Sequence, residues 1–219
     1  MIKVIFFDFD GTISQTRNIL EKLFFEVLDK IDFKYNKSKI KKLFGMKIEE
    51  ILKKLNMDER LREKIKNLYY KSLIERVYLS SLSLCSSVKP LFELRRRYKM
   101  VIVSNSENIF LKMAIKKLKL GRLFDEVYGA DDFSTKDKML KKLFKKYNIN
   151  QKEAIYIGDR FSDVVFAKKA GCYSVAIHNN CSWSSLKEIK KYSPDFIIKN
   201  FKDLKKIIKK INKEKDLFS

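Results

Sequence analysis

The sequence predicts an α/β protein: a doubly wound, mostly parallel sheet with an α-helical subdomain inserted into it. Two observations predict this. Short apolar runs alternate with helix-period stripes over most of the chain. One interval of roughly 70 residues carries helical stripes and no convincing strand, far more than a single crossover needs. The runs VIFF (4–7), MVIV (100–103), AIYI (154–157), SVAI (174–177) and FII (196–198) are almost wholly apolar. A strand covered by helices on both faces has no wet face, so its sequence shows no alternation. Between the runs, Leu111, Ala114, Ile115 and Leu118 follow the spacing i, i+3, i+4, i+7, and so do Leu140, Leu143, Phe144 and Tyr147.

The interval from 14 to 85 breaks the alternation. Its stripes are Leu20, Leu23, Phe24, Val27 and Ile31, then Ile48, Ile51, Leu52 and Leu55, then Leu61, Ile65, Leu68 and Tyr69. The division expected is therefore a core of residues 1–13 and 86–219 and a helical cap of residues 14–85, with SSLSLCSS (80–87) as the return linker. The last helix, from Phe201 to about Asn212, has Leu204, Ile207, Ile208 and Ile211 on one narrow stripe. It directly follows a strand, so it is expected to dock on the sheet rather than lie on a membrane surface.

With 219 residues the chain is long enough for a substantial core. No apolar run approaches the roughly 18 residues that would span a bilayer. Asp8 and Asp10 interrupt the apolar N-terminus, against a signal peptide. Cys85, Cys172 and Cys181 have no metal-type spacing and read as reduced thiols of a cytoplasmic protein. The net charge of +22 is mostly lysine spread along the whole chain, without the Arg- and aromatic-rich patch of a nucleic-acid binder. No specific nucleic-acid or membrane partner is expected, although anionic small molecules would be drawn to such a surface.

The chemistry is concentrated at strand ends. In FFDFDGTIS (6–14), Asp8 and Asp10 sit two residues apart, so on an extended segment they project to the same side. In IYIGDRFSD (155–163), Asp159 follows an apolar strand and Asp163 opens the next helix. In open parallel sheets, sites form at the carboxyl ends of strands near the point where strand order reverses. Carboxylates converging there repel one another unless a hard divalent cation compensates, and Mg²⁺ is the natural candidate. VIVSNS (101–106) places Ser104 and Asn105 at another strand tip, where a hydroxyl and backbone N–H groups suit phosphate oxygens. Lys136 stands just before an amphipathic helix and is preferred on that ground to Lys138 as the cation of the cluster.

These stretches are recognisable together. DFDGT (8–12), VIVSNS, Lys136 and GDRFSD (158–163) resemble, in order, the four signatures of the haloacid dehalogenase superfamily. LGRLFDEVYGADD (120–132) and FGMKIEEILKKL (44–55) resemble its phosphoglycolate phosphatase-like and β-phosphoglucomutase-like branch. The resemblance implies a Rossmann-like core with a helical cap. It also implies a Mg²⁺-dependent phosphatase acting on a small phosphorylated metabolite, of the phosphoglycolate or sugar phosphate type, through an aspartyl-phosphate. Asp8 would be the nucleophile and Asp10 the general acid and base. Asp8, the carbonyl oxygen of Asp10 and Asp159 would ligate the metal, with Asp163 acting through water or by orienting its neighbours. Ser104, the backbone N–H of Asn105 and Lys136 would hold the phosphoryl oxygens. An Asp at position 10 points to ester hydrolysis or phosphoryl transfer, since the family's dehalogenases lack it and its P-type ATPases carry Thr there.

The same site would serve a phosphomutase of the β-phosphoglucomutase type, and the high positive charge keeps a polynucleotide phosphatase or nucleic-acid binder as a further alternative. Lys47, in the loop 45–47, either reaches a carboxylate or second phosphate of the substrate or is a surface lysine. His178, the only histidine, reads as structural, since Asp10 fills the acid–base role. A monomer or homodimer is expected.

Overall fold

The computed structural model describes residues 1–79 and 82–216. Its first strand, β1 (Val4–Phe7), is buried at all four positions. Val4 and Phe6 pack on one face, Ile5 and Phe7 on the other. An insertion follows, comprising β2 (Ser14–Gln15), α1 (Arg17–Lys30), α2 (Lys37–Lys41), α3 (Ile48–Lys54), α4 (Glu59–Leu79) and β3 (Ser83–Leu84). The chain then runs through α5 (Lys89–Leu94), β4 (Lys99–Val103), α6 (Asn108–Lys117), β5 (Glu126–Tyr128) and α7 (Lys136–Lys146). It continues with β6 (Ala154–Gly158), α8 (Phe161–Ala170), β7 (Tyr173–Ile177), α9 (Leu186–Lys191), β8 (Phe196–Ile198) and α10 (Leu204–Asp216).

Six strands form one sheet in the order β5-β4-β1-β6-β7-β8, every pairing parallel. From β1 the chain moves outward to β5 on one side and then returns to β6 on the other. The carboxyl ends of β4, β1 and β6 therefore adjoin where the winding reverses. Helices cover both faces. On one, Phe110, Leu111 and Ala114 of α6 and Leu204, Ile208 and Ile211 of α10 join the core around Ile5 and Phe7. On the other, Met139, Leu140, Leu143 and Phe144 of α7 and Ala167 and Ala170 of α8 pack on Val4 and Phe6. The last helix docks on the core as expected, with Asn212 Oδ1 accepting the N–H of Ile2 at 2.8 Å. Among the described residues, no helix is long and apolar enough to cross a membrane.

Three features depart from expectation. The interval 14–85 does contain strands: β2 and β3 pair antiparallel, Ser14 with Leu84 and Gln15 with Ser83. They are two residues each, too short for a periodicity, and they tie the two ends of the insertion together at its junction with the sheet. Of the expected linker, Ser80 and Ser81 lie outside the described residues. The edge strand β5 also escaped prediction, because its three residues are all only half-buried and carry no apolar run. The third departure is chemical. Cys85 and Cys181, expected to be reduced thiols, are joined in a disulfide across 96 residues, with Cα atoms 5.6 Å apart. Sequence spacing could not show this, because the junction strand and the loop after β7 meet only in the fold; Cys172 alone is a free, buried thiol.

Candidate active site

β1 delivers Asp8 one residue past its last rung, where the Asp8 N–H bonds to the carbonyl of Ile157 on β6 at 2.8 Å. Asp159 follows the last residue of β6, and Asp163 sits in the first turn of α8. Two glycines allow the approach. A Cβ at Gly158 would lie 2.4 Å from the Asp163 carboxylate, so only glycine lets α8 fold its acid back over the strand end. Gly11 has φ +77°, and a Cβ there would meet Asp159 Oδ2 at 2.5 Å.

Asp8, Asp159 and Asp163 each bring a carboxylate oxygen within 4.8 Å of the others, and all three are buried. The Lys136 ammonium, 3% exposed, lies 2.8 Å from Asp8 Oδ1 and 2.8 Å from Asp163 Oδ1. Lys138 is exposed. Burial lifts the Asp8 carboxyl to about 7, against the pull of Lys136. Burial, with Asp163 and Asp8 as neighbours, drives Asp159 well above the usual carboxylate range. Burial also opposes the charge of Lys136, but Asp163 and Asp8 hold its ammonium above its ordinary value. One ammonium among three buried carboxylates leaves negative charge uncompensated. The donors are all oxygens, so the set fits a hard divalent cation.

Asp10 lies in different surroundings. Its Oδ1 accepts from Thr16 Oγ1 at 2.6 Å, and its Oδ2 accepts from Ser106 Oγ at 2.6 Å and Ser104 Oγ at 3.2 Å. Its carboxyl stands outside the three-acid cluster and is raised by burial, with the three hydroxyls pulling the other way. Ser104, expected to face a phosphoryl oxygen, thus donates to Asp10 and accepts the backbone N–H of Ser106 at 3.2 Å. The Asn105 side chain donates to the carbonyl of Gly45 in the insertion, at 2.9 Å.

Several groups at the site had no signal of their own in the sequence. Thr16 and Ser106 hold Asp10, and no spacing marked either. The Trp183 backbone N–H donates to Asp159 Oδ2 at 2.6 Å, and Thr12 donates to Asp159 Oδ1 at 3.1 Å. Indole Nε1 of Trp183 is buried beside the pocket without a partner among the described residues. Lys47 is half-buried rather than a plain surface lysine: its ammonium bonds to the carbonyls of Ala130 and Phe133 and clasps the insertion to the core. His178 contributes a backbone N–H to Ile198 O, 2.8 Å away.

Above the acids the insertion closes a pocket with Leu20, Phe24, Phe44, Met46, Ile48 and Ile51. Rings of Phe24, Phe25, Phe44 and Tyr69 pack edge to face behind it. The sequence model of the haloacid dehalogenase-like hydrolase family matches residues 5–177, which takes in all of these acids and Lys136. The chain belongs to this family. As a haloacid dehalogenase-like hydrolase it is similar along nearly its whole length to "Putative pyrophosphatase PpaX" of Caldanaerobacter subterraneus subsp. tengcongensis, 27% identical over 217 residues that cover 95% of each chain. Its fold is that of a "predicted phosphatase" from Clostridium acetobutylicum, with TM-score 0.81 and 23% identity over 95% of this chain and 99% of that one. It is also that of a "predicted phosphoglycolate phosphatase" from Haemophilus somnus, with TM-score 0.79 and 19% identity over 94% and 98%.

Proposed function

We propose that this hydrolase is a phosphatase for a small phosphorylated metabolite, working through an aspartyl-phosphate on Asp8. The observation that carries the reading is the contrast between two carboxyls two residues apart. Asp8 faces Lys136 and the acid cluster, whereas Asp10 faces three neutral hydroxyls. Such a split assigns a nucleophile and a proton carrier to neighbouring positions.

Asp8 attacks phosphorus, and the bond to the leaving oxygen breaks as the new O–P bond forms. Asp10, whose carboxyl burial raises above its ordinary value, gives its proton to the departing alkoxide. It then takes a proton from the water that cleaves the aspartyl-phosphate, and Asp8 is regenerated. Thr16, Ser104 and Ser106 fix the Asp10 carboxyl for both transfers. The Lys136 ammonium lies beside Asp8 where phosphoryl charge develops. Trp183 Nε1 is a further donor, buried beside the pocket and without a partner among the described residues. Asp8, Asp159 and Asp163 would hold Mg²⁺, with the carbonyl of Asp10 completing the protein ligands. When bound, the ion offsets the repulsion between Asp8 and a phosphate dianion. Residues 14–85 act as the cap that excludes water and shapes the leaving-group side.

Release of phosphate from p-nitrophenyl phosphate in Mg²⁺, by wild type and Asp8→Asn, tests this. The variant should lose at least about a thousandfold in rate, since nothing else at the site replaces the nucleophile. Retention of more than about a tenth overturns the assignment.

A further inference from the structure

One buried acid in the pocket takes no part in these steps. Glu107 precedes α6, is 8% exposed and lines the same pocket as Asp8, Asp10 and Lys136. One of its oxygens accepts from the hydroxyl of Tyr70, on α4 of the insertion, at 2.9 Å. No lysine or arginine among the described residues forms an ion pair with it. A buried, unpaired carboxyl is costly, and doubly so beside a site built for a phosphate dianion. Burial, with Asp131 and Asp10 as neighbours, lifts it to about 7.

The rest of the leaving-group side is mostly hydrocarbon. Its roof is apolar apart from Tyr69, and Lys47, the cation of its loop, bonds to the carbonyls of Ala130 and Phe133 among the acids Glu50, Asp131, Glu107 and Asp132. Arg160, the remaining cation of the lining, lies by Phe161 with its guanidinium against Gly45, and no ion pair among the described residues engages it. Beside Glu107, a second anionic group on a substrate would meet hydrocarbon and an acid. A hydroxyl or ammonium would meet a hydrogen-bond acceptor.

We infer that Glu107 selects the leaving group: the site takes phosphomonoesters whose alcohol carries a hydrogen-bond donor, a hydroxyl or an ammonium, and disfavours those with a second anionic group. The inference rests on the phosphatase reading above and narrows it away from phosphoglycolate and pyrophosphate.

Three compounds of one length separate the outcomes: 2-hydroxyethyl phosphate, 2-aminoethyl phosphate and 2-phosphoglycolate. For wild type, kcat/KM for each of the first two should exceed that for 2-phosphoglycolate by at least about tenfold, the scale of one lost hydrogen bond to a charged group. Glu107→Gln should shrink that ratio by about tenfold, and Glu107→Lys should invert it. Preference of wild type for 2-phosphoglycolate, or a ratio unmoved in folded Glu107→Gln, overturns the inference. Calorimetric Kd values for the same compounds carry the same ratio without turnover. If they follow the expected order while no phosphate is released from any phosphomonoester, the hydrolysis reading fails and the selection stands. If p-nitrophenyl phosphate is hydrolysed and the ratio is flat, selection alone fails.

Discussion

The floor of the pocket comes from the ends of three adjacent strands and two helix starts and carries three clustered carboxylates, a fourth carboxyl held by hydroxyls, and an ammonium. The roof comes from the helical insertion and is mostly apolar; its polar points are Tyr69, which lines the pocket, and Tyr70, whose hydroxyl reaches Glu107. The two walls solve different problems. Bond breaking needs charges held in fixed relation, which rigid strand ends provide. Choosing a substrate needs a surface that fits its far end, which a separate body can vary without disturbing the floor.

The walls should respond to substitution unequally, and the floor more. Lys136→Met leaves Asp8 and Asp163 buried without their shared ammonium. It should cut kcat by about a hundredfold or more and lower stability by about 3 kcal/mol, read by steady-state kinetics and a urea melt. A loss confined to KM would remove Lys136 from the chemistry.

Next in size is a pH effect on stability. A carboxyl held up in the fold keeps a proton that the unfolded chain has already released. Stability then falls as pH rises from the ordinary carboxylate range through the folded value. For Glu107, lifted from 4.5 to about 7, that fall amounts to about 3 kcal/mol by the top of the window. Asp8, Asp10 and Asp159 shift in the same direction and add to it in the cation-free protein. Urea melts between pH 4.5 and 8 should show this slope in chelator. It should flatten in Mg²⁺ as the floor is neutralised, and Glu107→Gln should lose the remainder. A flat profile in chelator would mean that the acids are not buried together.

A smaller effect belongs to the groups that aim Asp10. Ser106→Ala removes a 2.6 Å hydrogen bond that favours the ionised form. The kcat should drop by about tenfold, and the alkaline limb of its pH profile, where Asp10 loses its proton, should move up. A limb that moves down would place the proton elsewhere. Smallest of all is the roof: Met46→Ala should change KM by a few-fold and leave kcat within about twofold, since Met46 offers only apolar contact. A large kcat loss there would erase the contrast between the walls.

The same contrast explains what the sequence made legible. Asp8, Asp10, Asp159 and Asp163 stand in two short stretches at the ends of apolar runs, so chain-local pattern locates them and the reversal of strand order gathers them. The distance of Lys136 from Asp159 and its place before a helix favour it over Lys138 in the sequence, and in the fold it lies between two of those acids while Lys138 is exposed. Thr16, Ser106, Trp183 and Glu107 matter through partners 6, 96, 24 and 37 residues away, and no local rule flags a serine or a glutamate for that. The roof residues are visible as helical stripes and as the stretch 44–55, and a stripe looks alike whether it covers a core or a substrate. Lys47 shows the limit of reading one side chain at a time. Its role as a clasp needed the position of two carbonyls more than 80 residues on.

The central claim is that phosphorus passes through Asp8 while Asp10 moves the protons. Asp10→Asn tests both halves at once with p-nitrophenyl phosphate, whose leaving group departs without a proton. Rapid mixing should release about one equivalent of nitrophenolate per protein and then stall, with the phosphoryl group found on the peptide that carries Asp8 after acid quenching. Nitrophenolate released without a burst, from protein that bears no phosphoryl group, would contradict the account.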